Sequence, residues 1–330
     1  MSMVAQEAAE TEPQDNVLTF TAPKKRERRR TARARRILAV GGGKGGIGKS
    51  LVSANLGIAL AQRGANVVLV DADLGGANLH TCLGVPTPTR TLSDFIEHRV
   101  ERIEDALLPT GVERLSLLSG AHDMLDAANP KHGKKQRLIR HVSTLDADYV
   151  IIDLGAGTSF NTLDFFLAAD RGIVVMLPEP TSIENAYRFI KAAFFRKLQM
   201  LEGKHGIKEW VAEAVAGRPG APQTPWEIIA RLRERDSVAA SALELDLAGF
   251  RPWLVVNQAR SRSDYDVGTT VSAAWKKFFG LDLGYLGAVT YDDEVWKSIR
   301  TRRPVMVDRP QSAAATGLLR ITENLLALDR

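Results

Sequence analysis

Cysteine is nearly absent from this 330-residue chain, in which Cys82 stands alone. A single thiol closes no disulfide and builds no cysteine-based metal cluster within one chain. Nor does one cysteine per chain supply the paired ligands of an iron–sulfur cluster bridging two subunits. Long apolar runs are missing too. No stretch reaches the roughly 18 residues of a spanning helix, and the N-terminus carries no apolar signal segment. Aromatic residues make up 6% of the chain, and its five tyrosines are scattered with none at the C-terminus, which argues against a tyrosine-rich kinase tail. These absences lead us to expect a cytoplasmic protein without a transmembrane segment.

Basic residues are missing from one region in particular. Residues 1–23 hold four carboxylates and no Lys or Arg, whereas 24–36, KKRERRRTARARR, hold nine basic residues and Glu27. The chain's net charge of +5 therefore resides in that short block, and 37–330 is nearly neutral. We expect 1–36 to be a disordered, acidic-then-basic arm, with 24–36 suited to non-specific contact with DNA or an anionic surface.

The remainder has ordinary globular composition, 45% apolar and 25% charged, and is long enough for one large α/β domain. Apolar, β-branched runs at 37–40, 66–71, 115–118, 148–153, 172–177, 253–257 and 284–289 alternate with helical patterns. This alternation predicts a doubly wound, mostly parallel sheet of seven or eight strands with helices on both faces. Helices are expected over 51–63, 91–108, 134–145, 268–279, 292–301 and 313–328. Another, capped by Ser182, is expected to run to about Met200. Residues 201–250 interrupt the alternation with Gly and Pro turn signals and helical runs near 208–216 and 225–249. They read as a mainly helical insertion within a 37–330 domain, with Trp210 and Trp226 expected to pack.

Between the first strand and the first helix lies GGGKGGIGKS, residues 41–50. Strand, glycine-rich turn and helix start in this order form a phosphate-binding loop. Backbone N–H groups of Gly43, Gly45, Gly46, Ile47, Gly48 and Leu51 can converge on phosphate oxygens at the helix N-terminus. Lys49 can neutralise the outer phosphates, and the Ser50 hydroxyl can ligate Mg²⁺. Asp153 ends a buried strand, where a metal-holding carboxylate is expected, and Gly155 follows it as a backbone donor able to sense a terminal phosphate. Asp71 and Asp73 sit two apart at another strand end. On a continuing strand they would share one face.

The second lysine, Lys44 in KGGIGKS, resembles the deviant P-loop of the MinD/ParA ATPase family. Within that family, DLGAGTSFNTLDFFLAAD and PEPTSIENAYRFIK are most similar to the FleN (FlhG) branch. The resemblance spans about 36–200 and 251–328. It implies ATP/ADP and Mg²⁺ as cofactors and an ATP-dependent homodimer in which Lys44 reaches the partner's nucleotide. It further implies that Asp73 orients the attacking water with Asp71 nearer the metal, that Asn78 orders the same region, and that Asn257, in LVVNQ, reads the adenine edge. Thr290 stands where a proline usually follows the last strand. Three further features depart from the family pattern: the longer 201–250 stretch, the lack of the DQA-type N-terminal helix by which FleN-like proteins engage a GTPase partner, and the lack of a Lys/Arg-rich C-terminal amphipathic helix. Leu318, Leu319, Ile321, Leu325 and Leu326 read instead as a core-facing helix.

The function expected is a slow, partner-stimulated ATPase switch that regulates the position or number of a structure such as a flagellum, division site or cargo. An unidentified protein partner would dock through 201–250. The rival expectations are a nucleoid-binding, ParA-like partition ATPase, a metabolic enzyme on the same scaffold, and a nucleotide-locked scaffold without useful turnover.

Overall fold

The computed structural model describes residues 36–73, 76–120, 132–218, 220–222 and 224–329. The expected arm, apart from Arg36, lies outside the described residues. Arg36 itself begins the first strand and is tied to Asp329 at 2.9 Å. Eight strands form one sheet: β1 (Arg36–Gly41), β2 (Val67–Asp71), β3 (Leu108–Pro109), β4 (Leu115–Leu118), β5 (Tyr149–Asp153), β6 (Arg171–Met176), β7 (Trp253–Ala259) and β8 (Gly284–Thr290). Their order is β3-β4-β2-β5-β1-β6-β7-β8. All pairings are parallel except that of the short β3 with β4. The central strands are buried on both faces, which is why they read as unbroken Val/Ile/Leu runs.

The helices are α1 (Lys49–Gln62), α2 (Leu79–Leu83), α3 (Leu92–Ile96), α4 (His132–Val142), α5 (Phe160–Ala168), α6 (Pro180–His205), α7 (Lys208–Ala216), α8 (Pro225–Arg235), α9 (Ser237–Leu247), α10 (Arg262–Phe279), α11 (Asp293–Arg300), α12 (Val305–Asp308) and α13 (Ala313–Ala327). On one face of the sheet, side chains of α3–α10 share a core with Val70, Ile152 and Val174. On the other, α1, α2, α12 and α13 pack on Leu38, Leu69 and Ile151. The expected core-facing C-terminal helix is present, with Leu318, Ile321 and Leu325 buried. Among the described residues no helix is long and apolar enough to cross a membrane.

Four expectations are corrected. The helix expected over 91–108 stops at Ile96, because His98 adopts positive φ, and a 3-10 turn (Ile103–Ala106) and β3 follow. Ser182 caps nothing. Glu179 is the N-cap and Pro180 starts α6, while the buried Ser182 Oγ accepts from Leu177 N at 2.9 Å. The run 225–249 is broken at Asp236, whose backbone turns extended while its carboxylate caps α9 by accepting from Val238 N and Ala239 N. Trp210 packs against the core, but Trp226 is 54% exposed.

The stretch 201–250 is joined rigidly to the sheet-packing elements. α6 continues unbroken to His205, whose Nε2 lies 2.6 Å from the Asp246 carboxylate on α9. Ile228, Leu232, Leu243 and Leu247 enter the same core as α6. Within it, Phe189 of α6 is fully buried, edge-on to Phe166 at 5.0 Å and against Gly41 of β1. Phe189→Ala should cost about 3–5 kcal/mol of stability, read as a lower urea midpoint with unchanged slope.

Candidate nucleotide site

Parallel register assembles the site. In the order β2-β5-β1, Asp71 is the register partner of Asp153, and Asp153 of Val40, the residue before Gly41. Two carboxylates and the start of the glycine-rich loop are thus level at the carboxyl ends of three adjacent strands, where α/β sheets place their ligands. Both carboxylates are almost completely buried.

Asp153 is held by its neighbours on α1. Ser53 Oγ donates to its Oδ1 at 2.8 Å, and Ser50 also hydrogen-bonds to it. Burial pushes the Asp153 carboxyl up to about 6, opposed by the Ser50 and Ser53 hydrogen bonds and by the Lys49 charge. Burial, with the Asp153 charge next, pushes Asp71 up to about 7. Lys49 is itself buried. Desolvation lowers its pKa, countered by Asp153 and Asp73, and its Nζ donates to the Lys44 carbonyl at 3.3 Å.

The expected shared face of Asp71 and Asp73 is not formed. β2 ends at Asp71, and the Asp71 carboxylate turns the chain back, accepting from Asp73 N at 3.1 Å and Leu79 N at 2.9 Å. Those hydrogen bonds compete with strand continuation. Asp71 therefore shapes the 73–79 loop from beneath. Asp73 is delivered by the turn to Gly155, where a Cβ would lie 3.1 Å from its Cγ. Asn78 is exposed at the N-cap of α2, where its carbonyl, and not its side chain, accepts from Thr81 N and Cys82 N.

Gly43 and Gly48 of the loop are demanded by close approach. A Cβ on Gly43 would lie 2.2 Å from the Asn185 carbonyl of α6, and one on Gly48, which has φ 90°, would lie 2.1 Å from Asn257 Nδ2. A Cβ on Gly45 or Gly46 would meet nothing within 4 Å. Asn257 Nδ2 donates to the buried Ile47's carbonyl at 2.9 Å, while its Oδ1 accepts from Gln258 N. The loop after β5 closes on the same place, with Gly157 N donating to the Gly42 carbonyl at 3.4 Å. α1 starts without a side-chain cap, leaving the amides of its first turn free of such a partner. Lys44 is exposed, and Leu51 is half-buried.

The structure thus brings Lys49, Ser50, Asp71, Asp73, Asp153, Gly155 and Asn257 around one loop, with Lys44 at its exposed tip and Asn78 at the margin. Sequence reasoning missed Ser53 and Asn185. Ser53 lies four residues after Lys49 on the same helical face, a usable signal. Asn185 acts through its backbone and left none.

Strand, uncapped glycine turn, buried lysine and strand-end carboxylates define a P-loop nucleoside triphosphatase. Residues 33–202 match the ParA family model, described as NUBPL iron-transfer P-loop NTPase. The chain is 31% identical over 291 residues to antiactivator FleN of Pseudomonas aeruginosa, covering 88% of this chain and 85% of that protein. It is 35% identical over 165 residues to the flagellum site-determining protein YlxH of Helicobacter pylori, covering 47% of this chain and 53% of that protein. Its fold resembles septum site-determining protein MinD of Pyrococcus horikoshii complexed with Mg-ADP. The TM-score is 0.63 at 22% identity, over 90% of this chain and 98% of that one. The chain belongs to the ParA/MinD family of P-loop ATPases.

The two kinds of glycine can be told apart experimentally. Gly43→Ala should weaken ATP binding by about tenfold or more, because loop or α6 must yield by an amount worth over 1 kcal/mol. Gly45→Ala, with open space around it, should bind within about threefold of the parent by calorimetry.

Proposed function

We propose that this chain is an ATP-dependent dimerising switch that regulates the position or number of a cellular structure, with flagella the first candidate. The single observation that carries the reading is the exposed Lys44 at the tip of a loop whose inner charge positions are already filled by Lys49, Asp153 and Asp71. An exposed ammonium there has its best electrostatic partner in the phosphates of a second subunit. Relatives named for antiactivation and flagellum siting support the output.

The donor set fits Mg-ATP. Ser50 and Asp153 offer hard oxygen ligands, with Asp71 beside Asp153. Among the described residues no group of three or more His, Cys, Asp or Glu could hold a metal unaided. A Mg²⁺ ion sharing one or two protein oxygens with phosphates and water suits such a site. When bound, the ion would neutralise charge developing on the phosphates. Lys49 and the amides of 43–51 would hold the phosphates, and Asn257 would meet the adenine edge while bracing Ile47. Asp73 would orient the attacking water, and Gly155 would sense the terminal phosphate. Asn78, exposed beside Asp73's loop, would help order it. Trp226, Val238 and Leu245, all exposed on α8 and α9, would offer the 201–250 stretch to a protein partner. A cytoplasmic location completes the reading.

Two substitutions test it. Lys44→Ala should retain ATP binding but lose the ATP-dependent dimer on a sizing column, and an unchanged dimer would refute the cross-subunit role. Asp73→Ala should lower ATP hydrolysis by about 10²-fold or more while the ATP-bound dimer accumulates. Rapid turnover by this variant would remove Asp73 from the reaction.

A further inference from the structure

A large cavity remains outside the nucleotide site. It lies between α6 and α10, holds about 590 Å³, and is walled by Ile183, Tyr187 and Ile190 on one side and Val271, Trp275 and Phe279 on the other. Trp275 stacks on Phe279 at 4.3 Å, with Tyr187 edge-on to both at 5.6 and 5.4 Å. The Trp275 indole N–H is buried and meets no acceptor. Lys191 is the charged residue in the lining, which contains no carboxylate. An aromatic groove with a cationic edge suits an extended segment that brings apolar side chains and negative charge.

This chain contains such a segment. Val17-Leu-Thr-Phe20 follows four carboxylates in a stretch without Lys or Arg. In extended conformation Leu18 and Phe20 project to the same side, roughly 7 Å apart. Residues 21–35 connect it to Arg36, and a 15-residue link spans up to about 50 Å when extended. A domain of this length has a radius of gyration of about 19 Å, and the like charges of 24–35 favour extension. The groove is within reach.

We propose that residues 17–20 of the same chain occupy the α6/α10 groove, with Leu18 and Phe20 against Tyr187, Trp275 and Phe279 and the acidic residues before them toward Lys191. The groove wall is also the helix that limits the P-loop, since Ile183 and Tyr187 flank Asn185, whose carbonyl abuts Gly43. An occupant there bears on the loop from behind, and a partner that displaces it gains access to α6.

Intrachain disulfide trapping in the full chain tests this without nucleotide, so its failure leaves the ATP-switch reading untouched. In a Cys82→Ala background, Thr21→Cys is paired with Ala274→Cys at the exposed groove edge. Under mild oxidation it should cross-link within one chain about tenfold faster than a Thr11→Cys/Ala274→Cys control, which shares the tether but lies away from the anchor. Adding Leu18→Asp and Phe20→Asp should bring the rate down to that of the control. Equal rates for the two pairs, a rate insensitive to the aspartates, or cross-links that join two chains would each overturn the proposal. The last result would assign the groove to a second copy.

Discussion

The buried lysine of the phosphate loop is the constraint on which the site depends. An ammonium removed from water is tolerated only where opposite charge compensates it. Lys49 finds that charge in Asp153 and Asp73, and desolvation still lowers its pKa. The carboxylates face the converse problem, for burial pushes both up, aided at Asp71 by the Asp153 charge and at Asp153 by the Asp73 charge. Hydrogen bonds from Ser50, Ser53, Leu79 N and Asp73 N then decide their geometry. Strand register fixes all of this. A slip of one residue between β2 and β5 would separate Asp71 from Asp153 and turn each side chain on the slipped strand to the opposite face.

Close backbone contacts join this charge cluster to the rest of the molecule. Gly43 abuts α6, Gly48 abuts Asn257 of β7, Gly42 accepts from Gly157 after β5, and Gly155 lies against Asp73. Each contact leaves no room for a Cβ or ties two loops by a hydrogen bond. A phosphate that reorders one loop must therefore move, or be resisted by, its neighbours. Packed contacts of this kind have discrete arrangements instead of bending continuously. That is the physical basis for a switch in a fold whose central sheet is otherwise rigid.

The sheet was legible in the sequence because fully buried parallel strands leave contiguous β-branched runs, and the loop because its glycines and lysines are fixed in spacing. The family resemblance read from Lys44 and the DLGAGT stretch is matched by FleN across most of the chain. What escaped was set by hydrogen bonds that spacing cannot show. Asp71 spends its carboxylate on two backbone amides, so the chain turns where a strand pattern predicts continuation. Ser182 resembles a cap but binds Leu177 N from inside the helix. β3 is two residues long and includes a proline, which gives no periodic signal at all. Trp226 lies over Gly280 and not in the core, a placement that depends on how α8 meets α10.

α6 connects these observations. It begins at Pro180 beside the P-loop, crosses the sheet with Phe189 and Phe194 buried, and continues past the sheet to His205. There the His205–Asp246 contact and the shared core fasten it to α7–α9. A helix of 26 residues is about 39 Å long, so one rigid element spans from the phosphate loop to the stretch that departs from the family pattern. Asn185, in the second turn of α6, is the residue that abuts Gly43, so the helix that limits the phosphate loop is also the one whose core α8 and α9 share.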